Sequence, residues 1–321
     1  MKYYYAPMEG ITGYLHRSVY HSLFDDIDKY FAPFIVPNQN RKLSGKERRD
    51  LLPENNQGMN LIPQILTNRA EDYLAYEEIF LSFGYKEINI NLGCPSKTVV
   101  SKYRGSGFLA KPEELDAFLE KIFTNRKCRI SIKTRIGKDS ADEFPRLLEI
   151  YNKYPLEELI IHPRTQKDMY ENTPNIEMYE YAVKNSRNPV CYNGDVFGPT
   201  AYLELIDQFP GTEAVMLGRG LLINPGLICT FKDGKMVDKE TIRKYHDRMY
   251  EAYTQNMSGE KVILFKMKEL WVYLNQLFSN SEKYAKKIRK AQKLYAYESA
   301  VNELFADQEL ILYDERRFQI K

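Results

Sequence analysis

The chain has 321 residues, 43% of them hydrophobic and 28% charged, with a net charge of +2. That is enough apolar material for one large domain and a smaller one. No apolar run reaches 18 residues, so no membrane-spanning helix is expected.

Met1-Lys-Tyr-Tyr-Tyr-Ala-Pro-Met8 has neither the apolar core nor the cleavage site of a signal peptide, and a cytoplasmic protein is expected. Cys94, Cys128, Cys191 and Cys229 are widely spaced, with no C-x-x-C pair and no Cys/His cluster. Neither a disulfide framework nor a metal site is expected.

Short apolar runs alternate with helical patterns along the first 230 residues or so. Tyr3–Ala6 reads as a strand, followed by a helix from Tyr14 to Phe24. Tyr30–Val36 is a second strand, and the polar stretch from Asn38 to Gly58 reads as a loop or insertion. Leu61–Leu66 is a third strand, followed by a helix from Arg69 to Phe83. Ile88–Leu92 is the fourth, and a helix then starts at Pro112, where proline suits a first turn. Arg129–Thr134, Glu158–His162, Pro189–Asn193 and Ala214–Gly218 complete eight strands. Such alternation predicts an α/β fold with a parallel sheet, best matched by a (β/α)8 TIM barrel. A doubly wound sheet is the competitor, but no GxGxxG follows the first strand.

From about Glu240 the texture changes to helical patterns, Glu240–Asn256, Lys261–Phe278 and Ser281–Phe305, with no strands between them. The expected division is therefore a barrel over 1–238 and a smaller all-helical domain over 239–321. Lys283, Lys286, Lys287, Arg289, Lys290 and Lys293 place six positive charges in eleven residues. Such a run is either a solvated helix face or a surface for the phosphates of a polyanion.

In a barrel the chemistry sits at the C-terminal ends of the strands. The fourth strand is the odd one. Ile88-Asn-Ile-Asn-Leu92 alternates Ile and Asn where a buried parallel strand is usually apolar throughout, and it runs into Gly93-Cys-Pro95. Pro95 stiffens that corner and so presents the Cys94 thiol, unless Cys94 is simply a buried structural cysteine. The other strand ends offer Ala6-Pro-Met-Glu-Gly10, Gln64, Lys133 and Arg135, His162 and Arg164, Asn193-Gly-Asp195 and Gly218-Arg-Gly220. Cations and amides at nearly every exit suit an anionic, planar, hydrogen-bonding ligand. The last two sets follow strands seven and eight, where barrels often hold a phosphate. With no metal cluster, no Ser-His-Asp set and no paired carboxylates, redox chemistry on a bound cofactor is the natural reading.

Ala6-Pro-Met8, Asn91-Leu-Gly-Cys-Pro-Ser-Lys97, Lys133-Thr-Arg-Ile-Gly137, His162-Pro-Arg-Thr165, Asn193-Gly-Asp195 and Met216-Leu-Gly-Arg-Gly220 occur in order, one set per strand. This series resembles that of the tRNA-dihydrouridine synthases from residue 6 to about 225, and the basic helical tail is similar in general character. The resemblance implies an FMN-dependent oxidoreductase, with NADPH as reductant, that converts specific uridines of tRNA to 5,6-dihydrouridine. Pro7, Met8, Glu9, Gln64, Lys133, His162, Asn193, Gly194, Asp195, Gly218 and Arg219 would bind FMN, with Lys133 stabilising negative charge on the reduced ring. Asn91 and Arg135 would orient the uracil, hydride would pass to C6, and Cys94 would protonate C5 as general acid. Lys283, Lys286, Lys287, Arg289 and Lys290 would grip the tRNA, and a monomer is expected.

Two positions depart from the family pattern. Pro163 stands where glycine is usual, which predicts a stiffer loop after strand six. Phe108 stands where a small residue is common in the loop after Cys94, a loop whose Gly105 and Gly107 suit closure over the base. A narrower substrate slot is expected from Phe108. A small-molecule FMN barrel reductase of the dihydropyrimidine or enoate type would share the flavin residues but needs no basic tail. The same chemistry on rRNA is a further alternative.

Overall fold

The computed structural model describes residues 1–311. Its strands are β1 (Lys2–Tyr5), β2 (Lys29–Phe31), β3 (Leu61–Ile62 and Gln64–Ile65), β4 (Glu87–Leu92), β5 (Arg129–Gly137), β6 (Leu159–Thr165), β7 (Val190–Tyr192) and β8 (Ala214–Leu217). All pairings are parallel, in one sheet of nine segments running from Leu61–Ile62 through β2, β1, β8, β7, β6, β5 and β4 to Gln64–Ile65. The two end segments are a single strand interrupted at Pro63. Proline has no amide to donate, but its carbonyl accepts from Asn89 N at 2.9 Å, and the sheet closes on itself. The fold is a TIM barrel with a helical C-terminal region.

Closure explains the alternation in β4. Ile88, Ile90 and Leu92 face the surrounding helices and belong to the large core. Asn89 and Asn91 occupy the alternate positions, facing the lumen. There Asn89 accepts from Gln64 Nε2 at 2.7 Å and donates to Ser131 Oγ at 2.9 Å. Below this polar layer a separate apolar cluster, including Tyr4, Phe31, Ile62, Ile160 and Met216, fills the barrel. At the bottom Lys29 bridges the buried carboxylates of Glu87 and Glu158.

Two local predictions need correction. The stretch from Asn38 to Gly58 is not all loop, because Gly45–Leu51 is helical. Its signal was legible: Ser44 and Glu47 form a capping box, each side chain meeting the other's amide. The pattern from Ser281 to Phe305 is two helices, Glu282–Lys290 and Leu294–Asp307. No proline or glycine marks the break. Glu260, from the helix Glu260–Leu274, accepts from Leu294 N at 2.7 Å and so caps the second helix from a distance in sequence. That helix and Lys239–Asn256 pack together through Tyr297, whose hydroxyl meets His246 Nε2 at 2.6 Å and Trp271 Nε1 at 2.8 Å.

Candidate active site

The strand ends converge on a cavity lined by Pro7, Met8, Lys133, His162, Asn193, Gly194, Gly218 and Arg219, together with Tyr170. These are eight of the eleven residues expected at a cofactor. The other three sit differently. Glu9 is exposed and reaches Lys46 at 3.7 Å. Gln64 is fully buried in the lumen, donating to Asn89 and accepting from Asn91 at 2.8 Å. Asp195 ties two arginines together, with Arg164 Nη1 at 3.0 Å and Arg219 Nη2 at 2.5 Å from its Oδ1.

The glycines shape the wall. A Cβ on Gly220 would meet Val196 O at 2.7 Å, and one on Gly218 would meet Ala6 Cβ at 3.3 Å and Met8 Sδ at 3.4 Å. At Gly220 only glycine lets the two backbones approach so closely, and at Gly218 a side chain would crowd Ala6 and Met8.

Charge at the site is one-sided. Lys133 has no acidic partner among the described residues, and burial, followed by the nearby Arg135 charge, lowers its pKa to about 8. Arg135 is 1% exposed and spends Nε on Gly93 O (2.9 Å) and Nη1 on Thr165 O (2.7 Å). Its Nη2 is buried without a partner. Burial and then the surrounding cations push His162 well below the ordinary imidazole value, so its ring is neutral. Arg164 Nη1 lies 3.0 Å from His162 Nε2, and a guanidinium only donates, so the ring proton is on Nδ1. A lone ammonium, an unsatisfied guanidinium and close-approach glycines fit an electron-rich ligand carrying a phosphate, as FMN does.

Cys94, near enough to Lys133 and Arg135 for their charges to act on its thiol, stands on a doubly held turn. Asn91 Oδ1 accepts from Gly93 N at 3.0 Å and Cys94 N at 2.9 Å, while Asn91 Nδ2 donates to Gln64. On the other side Ser106 donates to Cys94 O through both its amide (3.1 Å) and its hydroxyl (2.8 Å). Gly105 has φ +55° and its missing Cβ would strike Cys94 O at 2.8 Å, so this glycine serves close packing. Burial raises the Cys94 thiol above its ordinary value, and it remains protonated at neutral pH.

The two departures resolve physically. Phe108 does not narrow a slot. It is 1% exposed and packs edge-on against Phe118, 5.6 Å between centroids. Pro163 lies where pairing shifts from Arg135↔His162 to Gly137↔Thr165, two residues of β5 against three of β6. A bulge is where a strand tolerates proline, and it re-aims the side chains around it.

A sequence profile of the dihydrouridine synthase family matches residues 4–313. The chain belongs to the dihydrouridine synthase family. It is therefore an oxidoreductase, and the family's match takes in the helical region as well as the barrel. A relative named probable tRNA-dihydrouridine synthase, from Staphylococcus aureus, is 27% identical over 235 residues, 68% of each chain. A probable tRNA-dihydrouridine synthase 2 from Bacillus subtilis is 28% identical over 227 residues, 68% of this chain and 69% of that one. Among solved structures, a variant of NCR from Zymomonas mobilis has a TM-score of 0.52 at 12% identity, covering 80% of this chain and 94% of that one. The old yellow enzyme from Trypanosoma cruzi has a TM-score of 0.51 at 8% identity, with the same coverage. At such identities the likeness concerns the barrel fold.

One residue lining this cavity carries no sequence signal. Tyr170, on the segment after β6, lies 5.8 Å from the His162 ring and has the Arg135 and Arg219 guanidiniums 5.3 and 4.8 Å from its centroid. Among the described residues no group of three or more metal-ligating side chains occurs, and no helix is long and apolar enough to cross a membrane. Of the basic tail, Lys287 pairs with Glu303 and Lys293 with Glu260 at 3.2 Å. Lys286, Arg289 and Lys290 form no ion pair among the described residues, and Lys283 lies over its neighbour's ring, 4.5 Å from the Tyr284 centroid.

Proposed function

We infer that this chain reduces the C5=C6 bond of specific uridines in tRNA to 5,6-dihydrouridine. The observation that carries this reading is a thiol, Cys94, kept protonated by burial within reach of the charge of Lys133, a cavity lysine with no counter-ion among the described residues. Pro7, Met8, Lys133, His162, Asn193, Gly194, Gly218 and Arg219 would hold FMN, with Asp195 acting by fixing Arg219. FMN held there and reduced by NADPH would supply the hydride for C6 of the uracil.

The chain's own groups do the rest. Lys133 offers the positive charge that favours the reduced cofactor. His162, neutral and oriented by Arg164, offers an Nδ1–H donor to an electron-rich ring atom. Arg135 orients the uracil through its free Nη2, and Asn91 acts on the base chiefly by setting the Cys94 turn. Cys94 passes its thiol proton to C5, so one hydride and one proton saturate the bond. Because the uracil of folded RNA is stacked, it must be extruded to reach the site, at a cost of about a few kcal/mol. Lys283, Lys286, Lys287, Arg289 and Lys290 offset that cost by attracting phosphates. The same reading divides the chain into a catalytic barrel (1–238) and an RNA-binding region (239–321, of which 312–321 lie outside the described residues), acting as a cytoplasmic monomer.

Mapping dihydrouridine in total RNA from cells with and without the gene tests the reading. Loss of the modified base at a defined tRNA position is expected. Loss confined to rRNA would reassign the substrate, and no loss in any RNA would overturn the activity. Flavin bleaching by NADPH compared with NADH tests the reductant.

A further inference from the structure

A second cavity, of about 370 Å³, opens where the segment after β1 meets the helical region. None of the residues expected at a cofactor lines it except Glu9. Its size is that of a small-molecule site. Part of its wall is apolar: Leu15, Phe34 and Ile35 from the barrel side, Met257 from the helical side.

His16 closes one end. It is 1% exposed, its Nε2 lies 2.7 Å from Tyr5 Oη, and its Nδ1 is buried with no partner. Burial brings its pKa down to about 3, so the ring is a neutral group with one unused hydrogen-bonding position. The rim carries both signs, Glu9, Glu47 and Asp50 against Lys46, Arg49 and Lys266. Asp50 is spent on Tyr14 N (2.6 Å) and Arg17 (3.3 Å), and Glu47 on the Ser44 cap (2.7 Å). Arg49 has no ion pair among the described residues, and exposed Lys46 is only loosely met by Glu9. A partly apolar slot with a neutral polar end and an unpaired guanidinium, Arg49, at its rim has the chemistry of a nucleotide site.

The place is as informative as the lining. Glu9 and Gly10, which line this cavity, follow directly on Pro7 and Met8, which line the first, so the two cavities share one edge of the barrel mouth. Lys266, from the helix Glu260–Leu274, binds Gly10 O at 2.5 Å and fixes that edge against the helical region. A uridine extruded toward Cys94 leaves its neighbour with one stacking face uncovered, and an aromatic wall restores it.

We propose that this cavity seats the nucleotide next to the reduced uridine, its base against Phe34 and His16 and its phosphate toward Lys46 and Arg49. The assignment rests on the RNA reading above. It makes the cavity a determinant of which uridine is accepted, since the neighbouring base must fit as well.

The test couples protein and RNA. Affinity is measured by fluorescence anisotropy for a labelled tRNA transcript and for transcripts abasic at the position 5′ or 3′ of the target uridine. Met257→Trp fills the cavity, and Phe34→Ala removes its stacking wall. Each variant is expected to weaken binding of the intact transcript about tenfold, and the abasic change on one side to do the same with the parental protein. Combining variant and abasic RNA should add nothing further. Penalties that multiply, or affinities that neither change moves, overturn the cavity. If the parental protein binds the transcript yet forms no dihydrouridine, the activity is overturned instead, and the coupling still decides the cavity.

Discussion

Asn91 holds Cys94: its carboxamide oxygen lies 2.9 Å from the cysteine amide, in the turn that Ser106 grips from the opposite side. The thiol therefore stands on a fixed corner. A small displacement of a reacting group costs roughly 10²-fold. Asn91→Ala is expected to lower single-turnover dihydrouridine formation by about that factor, with flavin content unchanged. Asn91→Asp, which keeps the acceptor oxygen, should recover part of the rate. Equal loss in both variants would show that Asn91 does not act through the turn.

Replacing Cys94 by Ala should leave flavin bound and reducible while product formation from pre-reduced protein falls by about 10²–10⁴-fold. The pH dependence has a definite sign. The acid form is the active one and burial raises its pKa above the ordinary thiol value of 9.0, so the rate stays flat through neutrality and declines only at alkaline pH. A decline of this half-reaction beginning below about pH 8, under the ordinary thiol range, would remove Cys94 as the acid.

Lys133 predicts a different profile for the other half-reaction. Its charged form disappears as pH rises through about 8, so flavin reduction by NADPH should slow over that range. Lys133→Met should be slow at every pH and lack the transition, while Lys133→Arg should keep its charge across it. Stopped-flow bleaching of the flavin measures all three.

The bottom of the barrel bears on stability alone. Lys29 reaches Glu87 at 2.9 Å and also contacts Glu158, and both carboxylates are buried. Removing the lysine leaves buried negative charge uncompensated, and Lys29→Met is expected to cost about 3–5 kcal/mol in urea unfolding. The double variant Lys29→Met/Glu158→Gln should be less impaired than the single one.

For the tail, Lys286, Arg289 and Lys290 are free of ion pairs among the described residues and Lys287 is not. Reversing the first three to Glu should flatten the dependence of log K on log salt by at least about 0.7–0.9 for each phosphate that is no longer neutralised. Lys287→Ala should change it less. An unchanged slope would leave the run as a solvated face.

The eight strands, their order and the motif at each exit were legible in the sequence because they depend on local pattern: buried parallel strands are apolar, and glycine, proline and charged groups gather where they end. The ordered motifs named the family for the same reason. What the sequence could not decide were contacts between segments far apart along the chain. The break before Leu294 depends on Glu260 reaching across 34 positions to supply a cap. The purpose of Asn89 and Asn91 depends on barrel closure at Pro63, which brings Gln64 to both. Tyr170 meets two guanidiniums, and His16 is left with an unpaired nitrogen beside a cavity, only once the strands and the helical region have packed. Local pattern chose the elements and the chemistry they carry; burial and long-range hydrogen bonding set the charge, orientation and partners of each group.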